Sequence, residues 1–77
     1  MKKETKVSFS EPIYTVKEVS ILLKTDEPMV RRLIDKGFLK ALKLGRLKVR
    51  KEEIERFLVW AEGKDFTDLE NVKPINI

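Results

Sequence analysis

The sequence predicts a mainly α-helical fold that carries one small β-hairpin. Three observations lead there. Two apolar stripes recur at helical spacing before residue 37: Val16, Val19, Leu22 and Leu23, then Val30, Leu33 and Ile34. An alternating stretch follows from Leu42 to Arg50, with Gly45 at its middle. A third helical stripe, Ile54, Phe57, Leu58 and Ala61, comes after it.

The first helix has a marked start. Thr15 followed by Glu18 is a capping box, in which each side chain satisfies a free backbone N–H at the helix N-terminus. The helix is expected from about Val16 to Leu23. Lys24-Thr25-Asp26 then breaks the apolar pattern. Asp26 is the expected N-cap of a second helix, with Pro28 tolerated in its first turn. Gly37 suits the left-handed position that ends many helices, so the second helix is expected to run from about Glu27 to Lys36. Pro28, Arg31, Arg32 and Asp35 point away from its apolar stripe. Arg31 and Arg32 are then either a solvated face or a reading face, and Arg32 lies nearest to opposite the stripe.

The hairpin is expected to have strands near Lys40 to Leu44 and Leu47 to Arg50. Gly45-Arg46 reads as a two-residue turn between them. That register puts Leu42, Leu44, Leu47 and Val49 on one face, and Lys43, Lys48 and Arg50 on the other. Residues 36–51 hold seven Lys or Arg and no Asp or Glu. Alternating cations often form nothing more than a solvated face. A hairpin charged with one sign throughout suits an anionic partner.

Lys51-Glu52-Glu53 opens the third helix, with acids where the helix dipole favours them, and Gly63 is expected to end it. Trp60 lies off the core stripe. It either closes the edge of a small core or contacts a partner protein. Residues 1–12 read as an arm, frayed or with a short strand at Val7 to Phe9. Residues 63–77 read as a tail: one helical turn at Thr67 to Glu70, then an extended or disordered end. Phe66, Leu69, Val72, Ile75 and Ile77 give that tail the means to order on a partner. The folded unit is therefore expected over residues 13–62.

Bulk properties narrow the function. Seventy-seven residues make one thin-cored domain, since a chain this short buries only about 60% of its unfolded surface. Without cysteine or histidine, disulfides, thiolate and imidazole catalysis and ordinary zinc sites are excluded. No phosphate-binding glycine loop or metal-ligand cluster is present, so no enzyme and no cofactor are expected. No apolar run approaches the ~20 residues of a membrane span, and a soluble, cytoplasmic protein is expected. Residues 1–60 carry 15 Lys and Arg against 9 Asp and Glu, or +6; residues 61–77 carry 2 against 4, or −2. A basic body with an acidic tail points to a polyanionic partner for the body.

Helix, turn, helix, basic hairpin, helix is the order of a winged helix-turn-helix. Double-stranded DNA is the expected partner. The second helix would present Glu27, Pro28, Met29, Arg31, Arg32 and Lys36 to the major groove. The wing would bring Lys43, Arg46, Lys48 and Arg50 to the backbone or the minor groove.

Residues 13–58 also resemble the excisionase-family DNA-binding domain, a winged helix related to MerR-type regulators. The resemblance rests on an ordered set. It comprises Tyr14-Thr15-Val16-Lys17-Glu18-Val19, Leu22-Leu23, Val30-Arg31-Arg32-Leu33-Ile34 and Gly37-Phe38-Leu39-Lys40-Ala41. Lys43-Leu44-Gly45-Arg46 and Glu52-Glu53-Ile54-Glu55-Arg56-Phe57-Leu58 complete it. It implies a protein of a phage or other mobile element that binds near a recombination site, often as several copies side by side. Such proteins bend DNA and assist an integrase in excision. They catalyse nothing themselves. One departure stands out: the family usually opens the second helix with small polar or basic residues, where this chain has Glu27-Pro28-Met29. Glu27 repels phosphate unless it reads a cytosine amino group or faces away. The competing function is a small transcriptional regulator on the same fold. The excisionase reading is favoured because the chain lacks the long dimerisation helix and effector domain of MerR-type regulators.

Overall fold

In the computed structural model, which describes residues 7–75, the chain forms three helices around a small antiparallel sheet. The order is β1 (Ile13–Thr15), α1 (Val16–Leu22), α2 (Glu27–Asp35), β2 (Leu42–Leu44), β3 (Arg46–Arg50) and α3 (Lys51–Ala61). A second pair of short strands, β4 (Lys64–Asp65) and β5 (Lys73–Pro74), closes the described chain. This is a winged helix-turn-helix. Its sheet carries a strand the sequence pattern does not announce: β1 lies against β3, giving a three-stranded sheet in the order β1-β3-β2.

β1 is short because it becomes α1 without a linker. Thr15 is both the last strand residue and the helix N-cap. Its hydroxyl accepts from the Glu18 N–H at 3.2 Å, and the Glu18 carboxylate accepts from the Thr15 N–H at 2.9 Å. Tyr14 points the other way into the core and is 1% exposed. A buried phenol needs partners. Its hydroxyl donates to the Ser8 carbonyl at 2.9 Å and accepts from the Glu11 N–H at 2.8 Å. That ties residues 8–11 to the domain as a turn, where a strand was one expectation. The rest of the expected arm, residues 1–6, lies outside the described residues.

Both helices of the helix-turn-helix end in the same way. After α1, the Thr25 N–H reaches back to Ser20 O at 2.9 Å and the Lys24 N–H to Ile21 O at 3.1 Å. After α2, Phe38 and Gly37 make the equivalent bonds to Leu33 O and Ile34 O. This paired closure needs a left-handed residue at its centre. Gly37 supplies it freely at φ +84°, whereas Lys24 adopts φ +57° against its own Cβ. Asp26 then caps α2, accepting from the Met29 N–H at 2.8 Å.

The wing differs from the expected hairpin in register. Leu44 pairs with Arg46, Lys43 with Leu47 and Leu42 with Lys48. Gly45 alone, at φ +76°, makes the turn, so Arg46 already belongs to β3. A slip of one residue exchanges faces. Leu42 and Leu44 therefore share a face with Arg46, Lys48 and Arg50, while Lys43 lies on the face of Leu47 and buried Val49. The expected separation of an apolar from a cationic face does not occur.

A clamp fixes the wing to α3. Glu53, with a side chain 13% exposed, accepts from the Lys40 N–H at 2.9 Å and from both Nε and Nη2 of Arg56. Arg56 also donates to the Phe38 carbonyl at 2.8 Å. One ion pair thus satisfies the loop between α2 and β2 at two backbone points. The Arg56 hydrogen bond holds the Glu53 carboxyl below its ordinary value of 4.5; partial burial opposes this, and the Lys40 N–H adds to it.

Residues 64–75 are not a free tail. Leu69 is buried with the core, and Phe66 stands against Phe38, Phe57 and Trp60 with ring centroids 5.7 to 5.8 Å apart. Trp60 closes the edge of that cluster, stacked on Phe38 at 5.7 Å. Residues 68–71 make a turn, not the helical turn expected at 67–70. Asp65 orders its approach by accepting from the Thr67 N–H and hydroxyl, and these bonds lower its pKa. β5 then returns to β4, where the sequence suggested an unpaired end. Ile77 lies outside the described residues.

Two outcomes follow for stability. Glu53→Gln should cost about 1–2 kcal/mol at neutral pH, since it weakens charge-assisted bonds to a half-covered loop. A depressed carboxyl pKa stabilises the fold above the ordinary value of 4.5, and the benefit is lost as pH falls through the lower folded value. The gap between wild type and variant in urea unfolding should therefore narrow from pH 7 to pH 3. Leu69→Ala should cost about 2–3 kcal/mol in the same assay; a loss under half of the lower figure would show that the C-terminal segment is not part of the core.

Candidate nucleic-acid interface

Three elements meet at one open groove of about 610 Å³. The start of α1 contributes Thr15, Val16 and Lys17. The first half of α2 contributes Glu27 and Arg31, and the wing contributes Lys43, Gly45, Arg46 and Leu47. The capping box and the unbroken passage from β1 to α1 set the first wall. The Asp26 cap sets the second, and the Gly45 turn the third.

The electrostatics of this groove are one-sided. Lys17, Arg31, Lys43 and Arg46 are all exposed, and Glu27 is the single acid among them. Among the described residues, none of the four cations has a carboxylate within ion-pair distance. Four cations elsewhere are engaged. Arg50 pairs with Glu52 at 3.2 Å, Lys51 with Glu55 at 3.6 Å, Arg56 with Glu53, and Lys36 with Glu70. Free cations on one wall-to-wall groove are what a phosphate backbone needs, because each contact releases a condensed counterion.

The ten residues expected at the interface fall into three groups. Glu27, Arg31, Lys43 and Arg46 meet in the groove. Pro28 and Arg32 are exposed on the outward crest of α2. The other four are held elsewhere. Met29 is half-buried against the core, and Lys36 is paired with Glu70. Lys48 is half-buried with its ammonium donating to the Leu44 carbonyl at 2.9 Å, and Arg50 is paired with Glu52. The geometry of α2 explains the division between the arginines. At about 100° per residue, Arg31 turns toward the wing while Arg32 points straight out. Glu27 faces the groove and not away from it.

Lys17 was missed by sequence reasoning, which treated the first helix as scaffold. A signal existed: a lysine in the first helical turn stands against the helix dipole. Nothing in the sequence alone said that the wing would come to lie beside it.

A wing beside an exposed second helix, with unpaired cations between them, defines a winged helix-turn-helix DNA-binding protein. The chain belongs to the helix-turn-helix domain family, which matches it over residues 13–58. No curated protein and no solved structure matches it. Among the described residues, no helix is long and apolar enough to cross a membrane.

Four groove cations imply a slope of log K against log salt of about −4. Arg46→Ala should weaken binding to a selected and an unrelated duplex alike, and make the slope shallower by about one unit. Arg50→Ala, which removes an already paired cation, should change the slope far less. Arg31→Ala should instead reduce discrimination between the two duplexes by about 1–3 kcal/mol. Fluorescence anisotropy titrations at several salt concentrations measure all three; equal effects of Arg46 and Arg50 would show that the groove has no special part.

Proposed function

We propose that the protein is an architectural DNA-binding factor of the excisionase type. It binds near an attachment site, bends the DNA and assists an integrase in excising a mobile element. The observation that carries this reading is the groove, where Arg31 of α2 faces Lys43 and Arg46 of the wing across a gap free of competing carboxylates except Glu27. Helix and wing can then hold adjacent grooves of one duplex, and a duplex gripped at two grooves is readily bent. The ordered resemblance over residues 13–58 supports the same reading. A recombinase, or a neighbouring copy on tandem sites, has apolar surface to use on α3, where Leu58 is 48% and Val59 77% exposed.

The test has two steps. Duplexes are selected from a randomised pool, and the bend is measured by circular-permutation gel shift. The protein is then added to a reconstituted excision reaction with an integrase encoded beside its gene. Bending together with stimulated excision is expected. Tight binding with neither is the behaviour of a small transcriptional regulator and would overturn the proposal.

A further inference from the structure

Leu44 stands apart from the other apolar residues of the wing. Val49 is fully buried, and Leu42 and Leu47 are half-buried, but Leu44 is 61% exposed at the tip. A single exposed leucine on a protein surface is ordinary. This one differs in three ways. Its backbone belongs to the β2–β3 ladder, and the Lys48 ammonium also donates to its carbonyl at 2.9 Å. Its register partner Arg46 leaves the same face, Lys43 leaves the opposite face just before it, and among the described residues neither cation has a carboxylate within ion-pair distance. It also crowns a turn of a single residue, Gly45.

These features bear on where the side chain goes when DNA is bound. The flanking cations draw the tip against phosphates, so a leucine between them is pressed toward the duplex. The minor groove is about 6 Å wide. Two paired strands, about 4.8 Å apart between backbones, are wider than that once their atoms are counted, but a single leucine side chain at the tip is not. Inside the groove, the apolar surface available to leucine lies between stacked bases. Apolar wedges of this kind unstack a base step and kink the duplex by about 20–90°.

We propose that Leu44 is a minor-groove wedge, inserted at one base step and responsible for most of the bend. The inference rests on the DNA-bending reading above and names the residue that produces it. Lys43 and Arg46 anchor the backbone on either side, and Lys48 braces the tip from behind.

The experiment uses the full chain and a duplex selected from a randomised pool. 2-Aminopurine is placed at successive positions in that duplex, and bend angle is measured in parallel. Wild-type protein should raise the fluorescence at a single step. Leu44→Ser should reduce that rise and the bend by more than half, with the salt slope unchanged, while Leu44→Phe should keep both. Because Leu44 is exposed, both variants should keep the wild-type melting temperature, which verifies that they are folded. A wild-type bend without an unstacked step, or with a step that Leu44→Ser still opens, would overturn the wedge and leave the architectural reading standing. A wild-type protein that binds without bending would overturn both.

Discussion

The molecule depends on how β3 is paired. This strand hydrogen-bonds to β1 on one edge and β2 on the other, and it passes into α3 with no linker. Lys51, the first residue of α3, donates its N–H to Pro12 O, so the arrival of β1 and the departure of α3 are tied at one point. β1 in turn becomes α1 at Thr15. One register therefore sets the positions of two helices and the wing together. It also sets the chemistry of the wing, since a shift of one residue would turn Val49 out of the core and bring its charged neighbours in.

The placement of charge follows a simple division. Several cations on the body of the fold have a carboxylate: Glu53 for Arg56, Glu52 for Arg50, Glu70 for Lys36. Exposed pairs of this kind add little stability each, about 0–1 kcal/mol. Their larger effect is to remove those cations from competition for an anion. Among the described residues the groove cations have no carboxylate partner, and they come from three different elements. Mutual repulsion among Lys17, Arg31, Lys43 and Arg46 is tolerable in water and is relieved when phosphates arrive. Positive potential is thus concentrated where helix and wing converge, although seven of the chain's cations lie in the single stretch 36–51.

Local chemistry was legible and long-range pairing was not. The capping box at Thr15, the Asp26 cap and the Gly37 stop are each encoded within four residues, and each is formed as the sequence suggests. The wing register was misread because Gly45-Arg46 resembles a two-residue turn, and nothing local distinguishes it from a one-residue turn. The β1–β3 pairing sets Tyr14 beside Val49 on the buried face, which either turn allows; the two differ only in the face that Leu42 and Leu44 take. β1 itself is three residues long, too short for alternation to reveal. At the candidate site, Arg31 and Arg32 are adjacent in sequence and both exposed. Only the position of the wing separates them, and that position follows from the same non-local pairing.

The C-terminal segment shows what a chain of this size requires. The family match ends at residue 58, yet the aromatic cluster at the end of α3 is completed by Phe66, and Leu69 joins the core. A helix-turn-helix with a two-stranded wing leaves Phe38, Phe57 and Trp60 with one side uncovered. Folding residues 64–75 back covers it, and each aromatic contact there adds roughly 0.5–1.5 kcal/mol beyond the buried area. The same segment carries the acids of the chain's end, and Glu70 reaches Lys36 at the C-cap of α2. The tail thus neutralises the far end of the second helix while its near end stays open to the groove. Stability and the polarity of the binding surface are served by one segment, for the physical reason that a thin core has no other place to find its missing wall.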